Sequence, residues 1–166
     1  MKQNRLLWII LGIITALIVI VVVTLALTPD QTSPAFAAAV SFMEAAGKGD
    51  DAAAYALLDA PLQAYVDANC PDGSVSACIA GYTPAEWGPL VSAVFRRAAP
   101  EGPEWNVDLI AMYAEDKGFS GVCIYHRMVQ DEAGQWRVAR WAGFLPCDDA
   151  ASRNMATNPD TPNRAP

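Results

Sequence analysis

The chain's only histidine, His126, sits between Phe119 and Gln130, in a stretch rich in β-branched and aromatic residues. Imidazole is the one side chain that titrates unaided near neutral pH, so acid–base chemistry would start there. Two charged residues can join it. If the loops Glu115-Asp116-Lys117-Gly118 and Asp131-Glu132-Ala133-Gly134 close hairpins through glycine bulges, Glu115 faces Phe119 and Asp131 faces Gln135. Counting outward places Asp108 opposite His126, and His126 opposite Arg140. In such a row Asp108 orients the imidazole and Arg140 holds an anionic or enolate oxygen. The same residues equally suit a cross-strand salt-bridge row. A slip of one residue sends His126 to the other face of the sheet.

Other catalytic signatures are missing from the sequence. It has no GxSxG, phosphate loop, HExxH or Rossmann glycine fingerprint. Cys123 and His126 are three apart on one strand and point to opposite faces, which removes a cysteine nucleophile. Asp50-Asp51 and Asp148-Asp149 read as a helix cap and a solvated tail, not as calcium ligands. No cofactor and no metal are expected.

Three strands must carry the row: Trp105 to Ala114, Phe119 to Gln130 and Gln135 to Leu145. Ahead of them the apolar spacing is helical. Phe36, Val40 and Met43 recur at i, i+4 and i+7 and end near Gly47 or Gly49. Asp50 caps a second helix and Pro61 opens a third short piece. Val75, Ala77 and Ile79 alternate as in a short strand between Ser74 and Ile79. Thr83-Pro84-Ala85-Glu86 opens a further helix, which Gly88-Pro89 interrupts and Leu90, Val91, Val94 and Phe95 continue towards Pro100. The fold class is α+β, with three N-terminal helical segments and a mostly antiparallel sheet that ends in a three-stranded meander.

The helical pattern Val40 to Leu58, with its Gly49-Asp50 break and Ala54-Tyr55-Ala56-Leu57-Leu58, resembles the opening of nuclear-transport-factor-2-like and ketosteroid-isomerase-like domains. The hairpin Gly134-Gln135-Trp136-Arg137-Val138 resembles their close. The likeness covers most of residues 35–146. It implies a cone-like fold and, for a bacterial membrane-anchored member, an exported domain. The expected function is a non-catalytic module that takes a small molecule in the cone or a protein partner on the sheet; the alternatives are an isomerase-like acid–base enzyme using Asp108, His126 and Arg140, and a purely structural envelope component. Such an isomerase needs a tyrosine or acid donor in the cavity, and the chain offers no match to that motif.

Composition places the domain. Of the 22 residues from Leu6 to Leu27, 19 are apolar and none is charged. As a helix this run is roughly 33 Å long, enough for a hydrocarbon core of about 30 Å. It reads as a transmembrane signal-anchor, with a cleaved signal peptide as the alternative. Lys2 and Arg5 precede it without an acid, so residues 1–5 are expected in the cytoplasm and everything after the helix outside. Residues 28–34 form a linker, 35–147 the exported domain and 148–166 a disordered tail.

Beyond the helix the chain carries 9 basic and 18 acidic residues, an anionic balance that excludes nucleic acid as a partner. Its four cysteines, Cys70, Cys78, Cys123 and Cys147, read first as disulfides in an oxidising compartment. Four cysteines allow three pairings. Cys70 and Cys78 flank the turn Pro71-Asp72-Gly73, which favours a local bond and leaves Cys123 for Cys147; the expected register sets Cys123 opposite Gly143, so that second bond requires the chain after Pro146 to fold back. On the face opposite His126 lie Leu109, Tyr113, Tyr125 and Trp141. A meander apolar on both faces needs a second cover, and these four are the expected interface for another copy or an envelope protein.

Overall fold

A computed structural model describes residues 2–27, 33–115 and 121–166, with side chains given only from residue 11 to 24 inside the first helix. The chain separates into two units, Met1–Gln31 and Thr32–Pro166. The first holds one continuous helix, α1, Lys2–Leu27. Among the described residues no helix is long and apolar enough to cross a membrane. Thr15 and Thr24 return their hydroxyls to carbonyls one turn back, so their polar groups are met inside the helix. Of the expected linker, residues 28–32 lie outside the described residues.

The second unit is α+β. Four helices, α2 (Pro34–Gly47), α3 (Asp51–Ala56), α4 (Ala60–Asn69) and α5 (Val75–Ala80), precede an antiparallel sheet of β1 (Leu90–Glu101), β2 (Glu104–Tyr113), β3 (Val122–Gln130) and β4 (Trp136–Pro146). The strands neighbour each other in chain order. Short polar side chains start the helices. Ser33, Asp50, Asp59 and Ser74 each accept a hydrogen bond from an otherwise orphaned N–H of the first turn. Helix α2 crosses all four strands. Its buried stripe is Ala35, Ala39, Phe42, Met43 and Ala46; Phe36 and Val40, expected inside, are only half-buried.

Two elements differ from the sequence reading. Ser74 to Ile79 forms a helix, not a strand. Ser74 caps α5, and the Asp51 carboxylate accepts from the Ser74 hydroxyl and from the Ser76 N–H, both at 2.8 Å. An acid at a helix N-terminus is electrostatically favoured. The Ser76 N–H is the main reason that the Asp51 carboxyl lies below its usual range. Second, Leu90 to Pro100 is strand β1, not a helix. Its pairing with β2 is irregular between Leu90 and Ser92 and again between Phe95 and Arg97. Each bulge resets the alternation, so the apolar residues fall at spacings that imitate a helix.

Both disulfides form as paired from the sequence, Cys70–Cys78 and Cys123–Cys147. The first ties α5 to the end of α4. Replacing Cys70 and Cys78 together by alanine is expected to cost about 2.5 kcal/mol, from the entropy of opening so small a loop. Urea unfolding measures it, and an unchanged midpoint would mean that the bond carries no stability.

The sheet separates two apolar clusters. The inner face meets the helices through Leu109, Ile124, Met128 and Trp141, with Phe42 stacked on Trp141 at 5.8 Å. The outer cluster is Cys123, Tyr125, Ala142, Leu145 and Met155. Met155 belongs to the C-terminal segment, which is ordered and packed rather than a disordered tail. Within it Ser152, Met155, Thr161 and Ala165 are buried. The Gly143 N–H donates to the Pro162 carbonyl and the Ala165 N–H to the Trp141 carbonyl, so the segment also occupies the free edge of β4. Two features hold it there: an outer face that is apolar and would otherwise be wet, and the Cys123–Cys147 bond that fixes its start.

Candidate functional site

The expected row does not assemble. The hairpin after β3 closes as counted, with the Asp131 N–H donating to the Gln135 carbonyl, and Met128 faces Val138. A bulge then places Ala139 as an extra residue, and Arg140 pairs with Arg127 while His126 pairs with Trp141. On the other side His126 faces Val107, and Asp108 faces Tyr125. The expected β2–β3 glycine turn lies within residues 116–120, outside the described residues. The result is a one-residue offset on both flanks. His126 points to the helices, whereas Asp108 and Arg140 lie on the outer face.

Each residue then finds a different environment. His126 is fully buried, edge-on to Phe42 at 5.5 Å, and neither ring nitrogen has a hydrogen-bond partner. Burial drives its pKa down to about 3, so the imidazole is neutral and is no proton shuttle at physiological pH. Asp108 is also buried and accepts a 2.6 Å hydrogen bond from Arg97 on its Oδ2, while its Oδ1 lacks a donor. Burial pushes its carboxyl up, and the Arg97 guanidinium pulls it part of the way back. The Nε of Arg140 is buried without a partner. The Tyr125 hydroxyl donates to Asn106 at 2.6 Å.

The expected interface residues are also used inside the chain. Leu109 and Trp141 lie in the inner core, and Tyr125 lies under the C-terminal segment. Tyr113 is half-buried with its ring 5.8 Å from Trp87. The slip in register had placed them on one face; in the fold Tyr125 is on the opposite side of the sheet from the others. All four cysteines are in disulfides and, among the described residues, no three His, Cys, Asp or Glu side chains converge as a metal site would require.

What gathers on the outer face instead is arginine. Arg96 and Arg97 come from β1, Arg127 from β3, Arg140 from β4, and Arg153 and Arg164 from the C-terminal segment. Arg127 pairs with Glu104, and Arg96 donates to the carbonyl and hydroxyl of Ser152. Arg96, Arg97 and Arg153 surround a cleft of about 260 Å³ with Asp108 in its wall. A second cleft of about 240 Å³ shares Arg97 and Arg153 and adds Asn106, Asn154 and Thr157. The sequence reading missed this site because Arg96 and Arg97 fell in an expected helix and Arg153 in an expected disordered tail. The available signal was the basic residues themselves, since seven of the nine beyond α1 are arginine.

Elsewhere, a cleft of about 430 Å³ lies between α4 and the β3–β4 hairpin, lined by Gln63, Gln130 and the Asp131–Arg137 ion pair. A small apolar pocket of about 150 Å³ opens between α2, α5 and Leu90. No family model, curated protein or solved structure matches the chain.

Proposed function

We propose that this chain is a non-catalytic binding module, held on the outer side of a membrane by α1, whose domain is a cone-like α+β fold. The observation that carries the non-catalytic reading is His126. The one residue suited to acid–base work at neutral pH is sealed in the core and separated by the sheet from Asp108 and Arg140. The binding reading draws on the polar clefts that the sheet and the C-terminal segment form together. Two closed disulfides suit an oxidising compartment. The run of 19 apolar residues in 22 suits an anchor, with Lys2 and Arg5 holding the N-terminus inside. Bulges in β1 and β4, which bend a strand and raise its twist, suit the curvature of a cone.

Two measurements test the proposal. Protease added to intact cells or spheroplasts should digest the domain; digestion only after lysis overturns the orientation. The purified chain should show no isomerisation of a β,γ-unsaturated ketosteroid. Turnover that disappears in His126→Asn overturns the non-catalytic reading.

A further inference from the structure

We infer that the outer-face cleft formed by Arg96, Arg97 and Arg153 binds a phosphate group, either free or as a monoester. The inference rests on the binding-module reading and names its ligand class. Charge comes first. Beyond α1 the chain sums to 9 basic against 18 acidic residues, yet three guanidiniums and one carboxylate line this cleft. Asp108 neutralises Arg97 through their 2.6 Å contact, so the cleft carries a net two positive charges, the complement of a dianion. The surrounding acids act through water and salt, with a screening length of about 8 Å, and do not cancel a local cluster at contact distance.

Geometry comes second. The chain already fixes two of the three arginines. Arg97 is held by Asp108 while its side chain remains 53% exposed, and Arg96 is held by Ser152. Guanidinium forks set in advance suit the tetrahedral oxygens of phosphate and lose little entropy on binding. Arg153 makes no ion pair among the described residues and stands at both clefts, free to close on an anion. The adjoining cleft, with Asn106, Asn154 and Thr157, offers neutral hydrogen bonds to the hydroxylated body of a phosphate ester.

Asp108 supplies the selectivity. Its carboxylate is part of the cleft wall, and beside a carboxylate an anion that carries its own hydroxyl hydrogen is favoured over one that carries none. Hydrogen phosphate carries such a hydrogen at neutral pH; sulfate, of the same shape and charge, carries none.

The test is calorimetric titration of the full chain in detergent with inorganic phosphate at pH 7, with sulfate and glycerol 3-phosphate in parallel. Saturable binding of phosphate, at least several-fold tighter than of sulfate, is expected. Arg153→Gln should weaken it roughly tenfold or more, the effect of one charge-assisted hydrogen bond. Arg153→Lys should recover part of the loss, and Lys48→Ala, remote and exposed, should change affinity less than twofold. Tighter binding of glycerol 3-phosphate than of phosphate assigns the monoester, and the reverse order assigns the free ion. No saturable phosphate heat, equal affinity for sulfate, or an unchanged affinity in Arg153→Gln overturns the inference. Those failures leave the tethered module to its own tests, which read topology and turnover.

Discussion

Replacing His126 by leucine should abolish most of the loss of stability that the protein suffers between about pH 6.5 and pH 3. His126 titrates near 6.5 when unfolded and near 3 in the folded chain, because protonation would place an unpaired charge between Phe42, Val107 and Trp141. Below pH 6.5 the unfolded chain binds a proton that the folded one refuses. Stability from this group is therefore complete above pH 6.5 and falls with pH, at up to about 1.4 kcal/mol per unit. By pH 3 the loss is on the order of 4–5 kcal/mol, a large part of what holds a domain of this size together. Asp59 and Asp108, raised by burial, act in the opposite direction, since the folded chain takes up their protons more readily. Asp51 and Asp131, lowered by their hydrogen bonds, add acid sensitivity below pH 4. All four remain in the variant, so the difference between the two chains isolates His126. At pH 7 the leucine variant should be as stable as the parent, or more so, because two buried nitrogens without partners are removed. Urea unfolding from pH 7 to pH 3.5 measures both curves. Parallel curves would show that His126 is hydrated or paired in solution.

Met155→Ala should cost about 2–5 kcal/mol and release the C-terminal segment from the sheet. Met155 is fully buried in the outer cluster, over Gly143. That glycine shows why the contact is tight. Its φ is +102°, and a Cβ there would come within 2.8 Å of the Cys123 carbonyl and 2.6 Å of the Met155 Sδ. The methionine lies directly on bare backbone, and alanine leaves a void that the sheet cannot close. Hydrogen exchange separates local from global loosening. The amides of Gly143 and Ala165, which bond to and from the segment, should lose protection first, while amides of α2 keep theirs. Equal loss in α2 would mean that the segment and the core unfold as one unit.

Sequence and structure part company at register. The helix caps Ser74, Asp50 and the Gly134 turn are local devices, set by hydrogen bonds within a few residues, and two of the three are read directly from residue type. Ser74 misleads because Val75, Ala77 and Ile79 also alternate; a contact with Asp51, over twenty residues away, helps settle α5 as a helix. The bulges at Val91, Arg96 and Ala139 leave no mark in composition, yet the one at Ala139 is enough to part His126 from Arg140. A period of two has no memory beyond a one-residue insertion, so every assignment past a bulge inverts.

What the residues determine alone is what depends on type and short spacing: the apolar run of α1, the α+β class, the three strands of the meander and the local Cys70–Cys78 bond. The excess apolar surface on both sheet faces was also legible from residue type. What covers it was not, because Met155 looks like an isolated residue in a proline-broken segment until the Cys123–Cys147 bond brings it over Tyr125 and Leu145. The same long-range closure gathers Arg96, Arg97 and Arg153 around one cleft from positions more than fifty residues apart. Only tertiary contact could decide either, since burial and local field are properties of neighbours in space.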